Sequence, residues 1–305
     1  MTASSFAVSP GGKGANQAVA CAKLSRSRSS LSTTAQGASE SESAHIRMVG
    51  AVGADTYGSL LTQNLSSHGV DVTGVTSSPS LKTGIAIIVV DEPTGQNRII
   101  LSPEANHSLQ PESFASSLPA PRPDLLIMQL EIPLPTVLAA LKAAREAGVP
   151  VLLNPAPAQE LPEEAYKGLA YLIVNETEAA VLGGVEESVL DSESGIESVA
   201  EKFLARGVQN VVVTLGGRGV YYLSSSSSSS GTGTGKKKGL VPALKAKVVD
   251  TTAAGDTFVG QYALEVVSGK DGFDIEAAVH KANRAAAKTV EKMGAQDSIP
   301  WLDEF

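Results

Sequence analysis

"DLLIMQLEIPLPTVLAALKAAREAGVPVLLN", residues 124–154, contains two short apolar runs, 124–130 and 149–154, on either side of a segment with helical spacing. Pro135 stands at the start of that segment and Gly148 at its end, as proline and glycine do at the two ends of helices. An apolar run, a helix of about four turns and a second apolar run make a βα unit followed by a strand, the building block of a parallel sheet. The same rhythm continues through the apolar runs at 170–175 and 210–215. The expected fold is therefore α/β, a Rossmann-like and mostly parallel sheet with helices on both faces. In such sheets ligands gather outside the carboxyl ends of the strands.

One segment departs from the rhythm. "TGIAIIVVDEPTGQNRIILS", 83–102, is two strand-like runs about a Pro-Thr-Gly turn and predicts a hairpin standing off the main sheet as a lid. Two polar stretches, 25–45 and 224–239, lack any apolar period and are expected to be flexible insertions, with Lys236, Lys237 and Lys238 on a solvated loop. The remainder is expected to be a single α/β domain over 1–305.

The chain has 305 residues, 42% hydrophobic and 18% charged, enough for a sizeable core. A net charge of −8 argues against a nucleic-acid partner, which would require clustered Lys and Arg. The lone cysteine, Cys21, excludes an intrachain disulfide framework and a cysteine-based zinc site. No signal-peptide pattern opens the sequence, and its longest apolar run is far short of a membrane span. A soluble, intracellular protein with no membrane partner is expected.

The segment "KVVDTTAAGDTFVGQYALEVV", 247–267, predicts a strand ending near Asp250, a turn of small residues and then a helix. Ala253, Ala254 and Gly255 leave backbone N–H groups open to an anion at the positive end of that helix. Asp256 stands at the same point. It fits a helix N-cap, and equally a base that takes a proton from a hydroxyl attacking a phosphoryl group. Asn175 and Glu178 have capping-box spacing after a strand. "TLGGRG", 214–219, reads either as a glycine hairpin turn or as a flat strand-end loop beside a nucleotide. Glu131, closing the strand at 124–130, suits sugar hydroxyls or a solvated loop. The glycine-rich "GGKGAN", 11–16, is not a P-loop, because Ala7 and Gly14 occupy positions that need glycine and Ser or Thr. No dinucleotide glycine fingerprint or zinc-hydrolase pattern occurs either.

"GGKGANQA" (11–18), "MQLE" (128–131), "NPAPA" (154–158), "NETEA" (175–179), "TLGGRG" (214–219), "DTTAAGDTF" (250–258) and "GAQDSIPW" (294–301) follow one another over nearly the whole chain. In this order the sequence resembles the ribokinase branch of the PfkB carbohydrate kinase family. The resemblance implies a ribokinase-like fold with a small β lid and ATP-dependent phosphorylation of D-ribose at its 5-hydroxyl. Asp256 would be the catalytic base, with Ala253, Ala254 and Gly255 as the anion hole. Gly12, Lys13, Gly14 and Asn16, with Glu131, would hold the sugar. Asn175, Glu178, Thr214, Gly216, Gly217, Gly219, Gly255 and Asn283 would bind ATP with its Mg2+. Asp250, Thr252, Thr289, Lys292, Gly294 and Ser298 match the positions of a K+ site. A cytoplasmic homodimer joined through the lid is the family expectation. The family also has a strand and a sugar-binding aspartate ahead of "GGKGAN", which here follows ten residues, so residues 1–10 are expected to be the tail of a lid strand. Other expectations compatible with these residues are a related sugar or nucleoside kinase, or a fragment that binds ligand without turnover. A nicotinamide-dependent oxidoreductase is disfavoured by the missing fingerprint.

Overall fold

A computed structural model describes residues 6–29, 43–90, 97–114, 117–225, 236–269 and 272–305. The opening βα unit is present as strand β5 (Leu126–Met128), helix α3 (Leu134–Glu146) and strand β6 (Val151–Leu153), with Gly148 at φ +64 just past the helix. Strands β7 (Tyr171–Asn175) and β8 (Asn210–Thr214) continue the parallel sheet. Helix α4 (Glu176–Gly183) follows β7, and helix α5 (Glu193–Ala205) precedes β8. Strands β9 (Val220–Ser224) and β10 (Lys237–Val241) complete it antiparallel, in the order β10-β9-β8-β7-β6-β5.

Both faces of this sheet are covered. Val211 and Val213 join a core with Val199 and Phe203 of α5, whereas Val212 between them faces Phe258 and Val279 on the other side. That alternation is the pleat of a strand buried on both faces. The second face is covered by α6 (Ala254–Ser268) and α7 (Ile275–Thr289). Helix α1 (Lys13–Leu24) packs on α6 so closely that a Cβ on Gly260 would lie 2.5 Å from the Cβ of Ala20. A third core joins α1 to Leu65 of helix α2 (Thr56–Ser67) and to Val70.

Strands β1 (Arg47–Gly53) and β2 (Asp71–Ser78) form a separate parallel pair. The expected lid hairpin is β3 (Ile85–Val90) with β4 (Asn97–Ser102), antiparallel, its turn at 91–96 lying outside the described residues. Among the described residues no helix is long and apolar enough to cross a membrane.

Several expectations need correction. The insertion at 25–45 begins too early: Ser25 caps α1 and is buried, and Arg26 is buried against the carbonyl of Gly69. Its portion at 30–42 lies outside the described residues, as do 226–235 of the second insertion. Lys237 to Gly239 are not loop but part of β10, and Ser224 ends β9. Lys236, just before that edge strand, and Lys238 within it reach Glu201 and Glu197 of α5, while Lys237 reaches Asp274 at the start of α7, so acidic partners on both faces hold the lysine run against the sheet. The strand expected to end at Asp250 is absent, since 242–250 carries no strand hydrogen bonding after β10 ends. Phe6 to Pro10 are also irregular rather than strand, and 1–5 lie outside the described residues.

Candidate active site

Helix α1 starts at a glycine because Gly12 sits at φ +91, a conformation that favours a residue without Cβ. No side chain of its own turn caps the helix. Instead Glu131, just beyond β5, accepts the Lys13 N–H at 2.7 Å. The strand end and the helix start are thereby joined, and a carboxylate lies at the positive end of a helix. Burial pushes the Glu131 carboxyl up, with the Lys13 N–H and ammonium opposing that shift. Glu131 is therefore not the solvated charge that one reading of the sequence allowed.

Asp256 lies in the first turn of α6 and is 7% exposed. It is not the N-cap; that position belongs to Ala253, which adopts the left-handed conformation at φ +61 with no capping side chain. A non-glycine residue held there carries local strain of the kind that collects at functional sites. The kink turns the chain into the helix so that open space lies over Gly255, where an added Cβ would meet nothing within 4 Å. The Asp256 carboxylate accepts from Asn16 Nδ2 at 2.9 Å and from Gln17 Nε2 at 3.0 Å. Burial raises its pKa, and the Lys13 charge with these two hydrogen bonds pulls it back toward the ionised form. The close contact of Gly260 with Ala20 sets this geometry, because Asp256 and Asn16 each lie one turn earlier on their helices.

A second group of predicted residues lines the ends of β7 and β8. Asn175 and Glu178 form the full capping box of α4, with Glu178 N–H to Asn175 Oδ1 at 2.8 Å and Asn175 N–H to Glu178 Oε2 at 2.9 Å. Glu178 is buried, and burial raises its pKa against the Asn175 N–H and the Lys13 charge. Thr214 ends β8 and donates to the carbonyl of Val174. Gly216, Gly217 and Gly219 form the tight connection from β8 to β9, so hairpin turn and strand-end loop are here the same object. Arg218 anchors that turn on Glu176 and on the carbonyls of Leu190 and Asp191. Beside it, Gly216 and Gly217 leave open space. Asn283 is in α7, donating to the carbonyl of Pro242 at 2.8 Å, and so holds the segment after β10 against that helix.

The third group is partly assembled. Asp250 accepts from the Thr252 N–H and hydroxyl with one oxygen and from the Gly294 N–H with the other, which joins two distant loops. Partial burial would raise its pKa, but these hydrogen bonds outweigh it and hold the carboxyl below its ordinary value. Thr289 donates its hydroxyl proton to Thr257 Oγ1 and Ser298 to the carbonyl of Ala295, which leaves the lone pairs of both oxygens for other partners. Lys292 directs its ammonium to Glu304, away from the loop.

The sequence reading missed five amides that surround this site: Gln17, Asn64, Gln129, Asn154 and Gln296. Gln296 donates to Asn16 Oδ1 at 3.1 Å and accepts from Asn64. Gln129 and Asn154 both bond Gln17. The available signals were Gln17 beside Asn16 and Asn154 at the end of an apolar run. Their roles rest on partners more than a hundred residues away, which no local pattern shows.

Comparison with known proteins places the chain among one family of kinases. The model of the pfkB family carbohydrate kinases matches residues 1–302. A ribokinase of Schizosaccharomyces pombe is 39% identical over 302 residues, covering 98% of this chain and 86% of its relative. The crystal structure of a ribokinase from Thermotoga maritima superposes with a TM-score of 0.76 at 38% identity, covering 99% of this chain and 88% of that one. The structure of an Arabidopsis thaliana ribokinase complexed with ribose and ATP gives a TM-score of 0.78 at 28% identity, covering 96% of this chain and 85% of that one.

Proposed function

Because the chain belongs to the pfkB family of carbohydrate kinases, we propose that it transfers the γ-phosphoryl group of ATP to the 5-hydroxyl of D-ribose. The observation that carries the reading is Asp256, a buried carboxylate at the start of α6 that accepts from two amides and lies beside an open glycine-containing turn. In this reading Asp256 takes the proton of the attacking hydroxyl. Lys13, Asn16 and Glu131 orient the sugar, and the backbone of 253–255 receives the negative charge that moves onto the transferring group. Asn175, Thr214, Asn283 and the glycines of 216–219 would seat the nucleotide against the carboxyl ends of β7 and β8.

Mg2+ bound with ATP would supply charge neutralisation at the phosphates. The carboxylate of Glu178 suits it, since hard cations take oxygen ligands and the capping box accounts for one Glu178 oxygen. The carboxylate and carbonyl oxygens of the Asp250–Thr252 loop suit a monovalent cation such as K+. The Asp250 contact with Gly294 supports that reading by bringing both candidate loops together.

The test is ADP release with D-ribose, D-fructose and adenosine as acceptors. Ribose is expected to be preferred, and Asp256→Asn to lower kcat by about 10²–10⁴-fold, the usual contribution of a general base. No preference for ribose would replace this substrate with another acceptor of the family. A folded parent chain that turns over none of them would leave only ligand binding.

A further inference from the structure

Of the two amides on Asp256, Gln17 has every polar atom engaged. Its Nε2 lies 3.0 Å from Asp256 Oδ1 and 3.0 Å from Asn154 Oδ1, so both hydrogens are directed, and its Oε1 accepts from Gln129 Nε2 at 2.6 Å. Asn154 Nδ2 in turn donates to the carbonyl of Ile173 at 3.0 Å. The direction of this chain is dictated by its ends. A carboxylate and a backbone carbonyl both only accept, so Asn154 must direct its NH2 to Ile173 and its oxygen to Gln17. Gln17 must then present its NH2 to both Asn154 and Asp256. Reversing the Gln17 amide would set oxygen against oxygen at two contacts and nitrogen against nitrogen at Gln129. At 1% exposure, Gln17 has no water to replace a lost partner.

We propose that Gln17 is the positioning residue of the base: Asn154 and Gln129 lock its amide so that an N–H always points at Asp256 Oδ1, keeping the carboxylate oriented and in its proton-accepting state. The proposal rests on the reading of Asp256 as the base. Two of the roughly four lone-pair sites of the carboxylate are used by Asn16 and Gln17, which leaves the others for a hydroxyl. The charged groups facing Asp256 among the described residues are Lys13 at the start of α1, Glu131 after β5 and Glu178 in α4. Lys13 favours the ionised base and the two glutamates oppose it. Against that mixed field the Gln17 N–H is a fixed, uncharged contribution that cannot titrate away.

The experiment measures the pH dependence of kcat for the parent, Gln17→Met and Asn154→Ala. Expected for Gln17→Met is a rising limb moved up by about one pH unit, the size of losing one hydrogen bond to a charged group, with about tenfold lower kcat below the midpoint and recovery above it. The KM for ribose should stay within about twofold, as expected when binding is untouched. Asn154→Ala should move the limb in the same direction by less, because it frees the Gln17 amide without removing it. An unmoved midpoint, a loss uniform across pH, or a change confined to KM would overturn the proposal. Melting temperature against pH, for the parent and each variant with and without Asp256→Asn, reads the same ionisation without turnover. There, Gln17→Met should extend the Asp256-dependent fall in stability to higher pH, and no extension counts against the proposal. Should Gln17→Met fail to fold, Gln129→Met, which frees the Gln17 amide at its other end without adding a charge, should give both readouts in the same direction as Asn154→Ala, and no shift in it would overturn the proposal. A parent inactive on ribose would count against the substrate assignment, while the melting series would still decide the role of Gln17.

Discussion

At the scale of single residues, the site is a contest between burial and local charge. Asp256 has a folded-state pKa raised by burial, above its unfolded value. Such a group favours the folded state fully at pH below its unfolded pKa, and that contribution is lost as pH rises through the folded pKa. Asp256→Asn should therefore gain in melting temperature relative to the parent as pH rises from 3–4 toward neutral; calorimetry at a series of pH values checks this, each kcal/mol appearing as ~2–4 °C. Lys13 acts on three acids at once, lowering Asp256, Glu131 and Glu178. In Lys13→Met the rising limb of kcat should move to higher pH and the KM for sugar should increase, whereas an unchanged pH profile would separate Lys13 from the base. Cys21 is the opposite case: burial pushes its thiol up to about 12, and its Sγ rests on the carbonyl of Gly260. It should resist thiol reagents until the chain unfolds.

At the scale of elements, the packing of α1 on α6 decides whether Asn16 and Gln17 reach Asp256. Gly260→Ala would place a Cβ 2.5 Å from the Cβ of Ala20 and 3.0 Å from the Cys21 backbone nitrogen. Overpacking of that kind costs about 1–3 kcal/mol. Urea denaturation should show the loss, and kcat should fall more than the KM for ATP, because the displaced pair is amide and base. The β3–β4 ribbon makes a different prediction. Ile87 pairs with Ile100 on one face, and Ile88 and Leu101 on the other are also about half exposed, so the ribbon offers apolar surface to a partner. Light scattering is expected to give a dimer for the parent and a smaller species for Ile87→Lys.

The alternation of strands and helices from β5 to β8 was legible because each element carries its own period. The edge strand β10 was not, since "KKKG" has no apolar alternation and its place depends on Glu197, Glu201 and Asp274 from remote helices. The absent strand before Asp250 erred the other way. "KVV" has the composition of a strand, but Val248 and Val249 are exposed, with no neighbouring strand to pair.

At the scale of the whole molecule, the parallel sheet turns four separate strand ends into one edge. Glu131, Asn154, Asn175 and Thr214 follow or end β5, β6, β7 and β8 in turn, while α1 and α6 bring Lys13 and Asp256 to the same edge. Ligands that bind only this assembled edge should stabilise the fold by mass action, by about 2.7 kcal/mol at a hundredfold excess over Kd. Adding ribose with a non-hydrolysable ATP analogue should raise the melting temperature of the parent.

The sequence by itself determined the α/β class, the β3–β4 hairpin and the small-residue turn before Asp256, because each is encoded in a period or in residues a few positions apart. Its motifs also carried the family resemblance, again through short local strings. Only the tertiary structure decided that Asp256 is not a helix cap, that the half-buried Glu131 binds the start of α1, and that Gln17 joins Asn154 and Gln129 to the base. Those facts depend on contacts between segments more than a hundred residues apart, and on the desolvation and fixed hydrogen-bond directions that exist only once the helices have closed over the sheet.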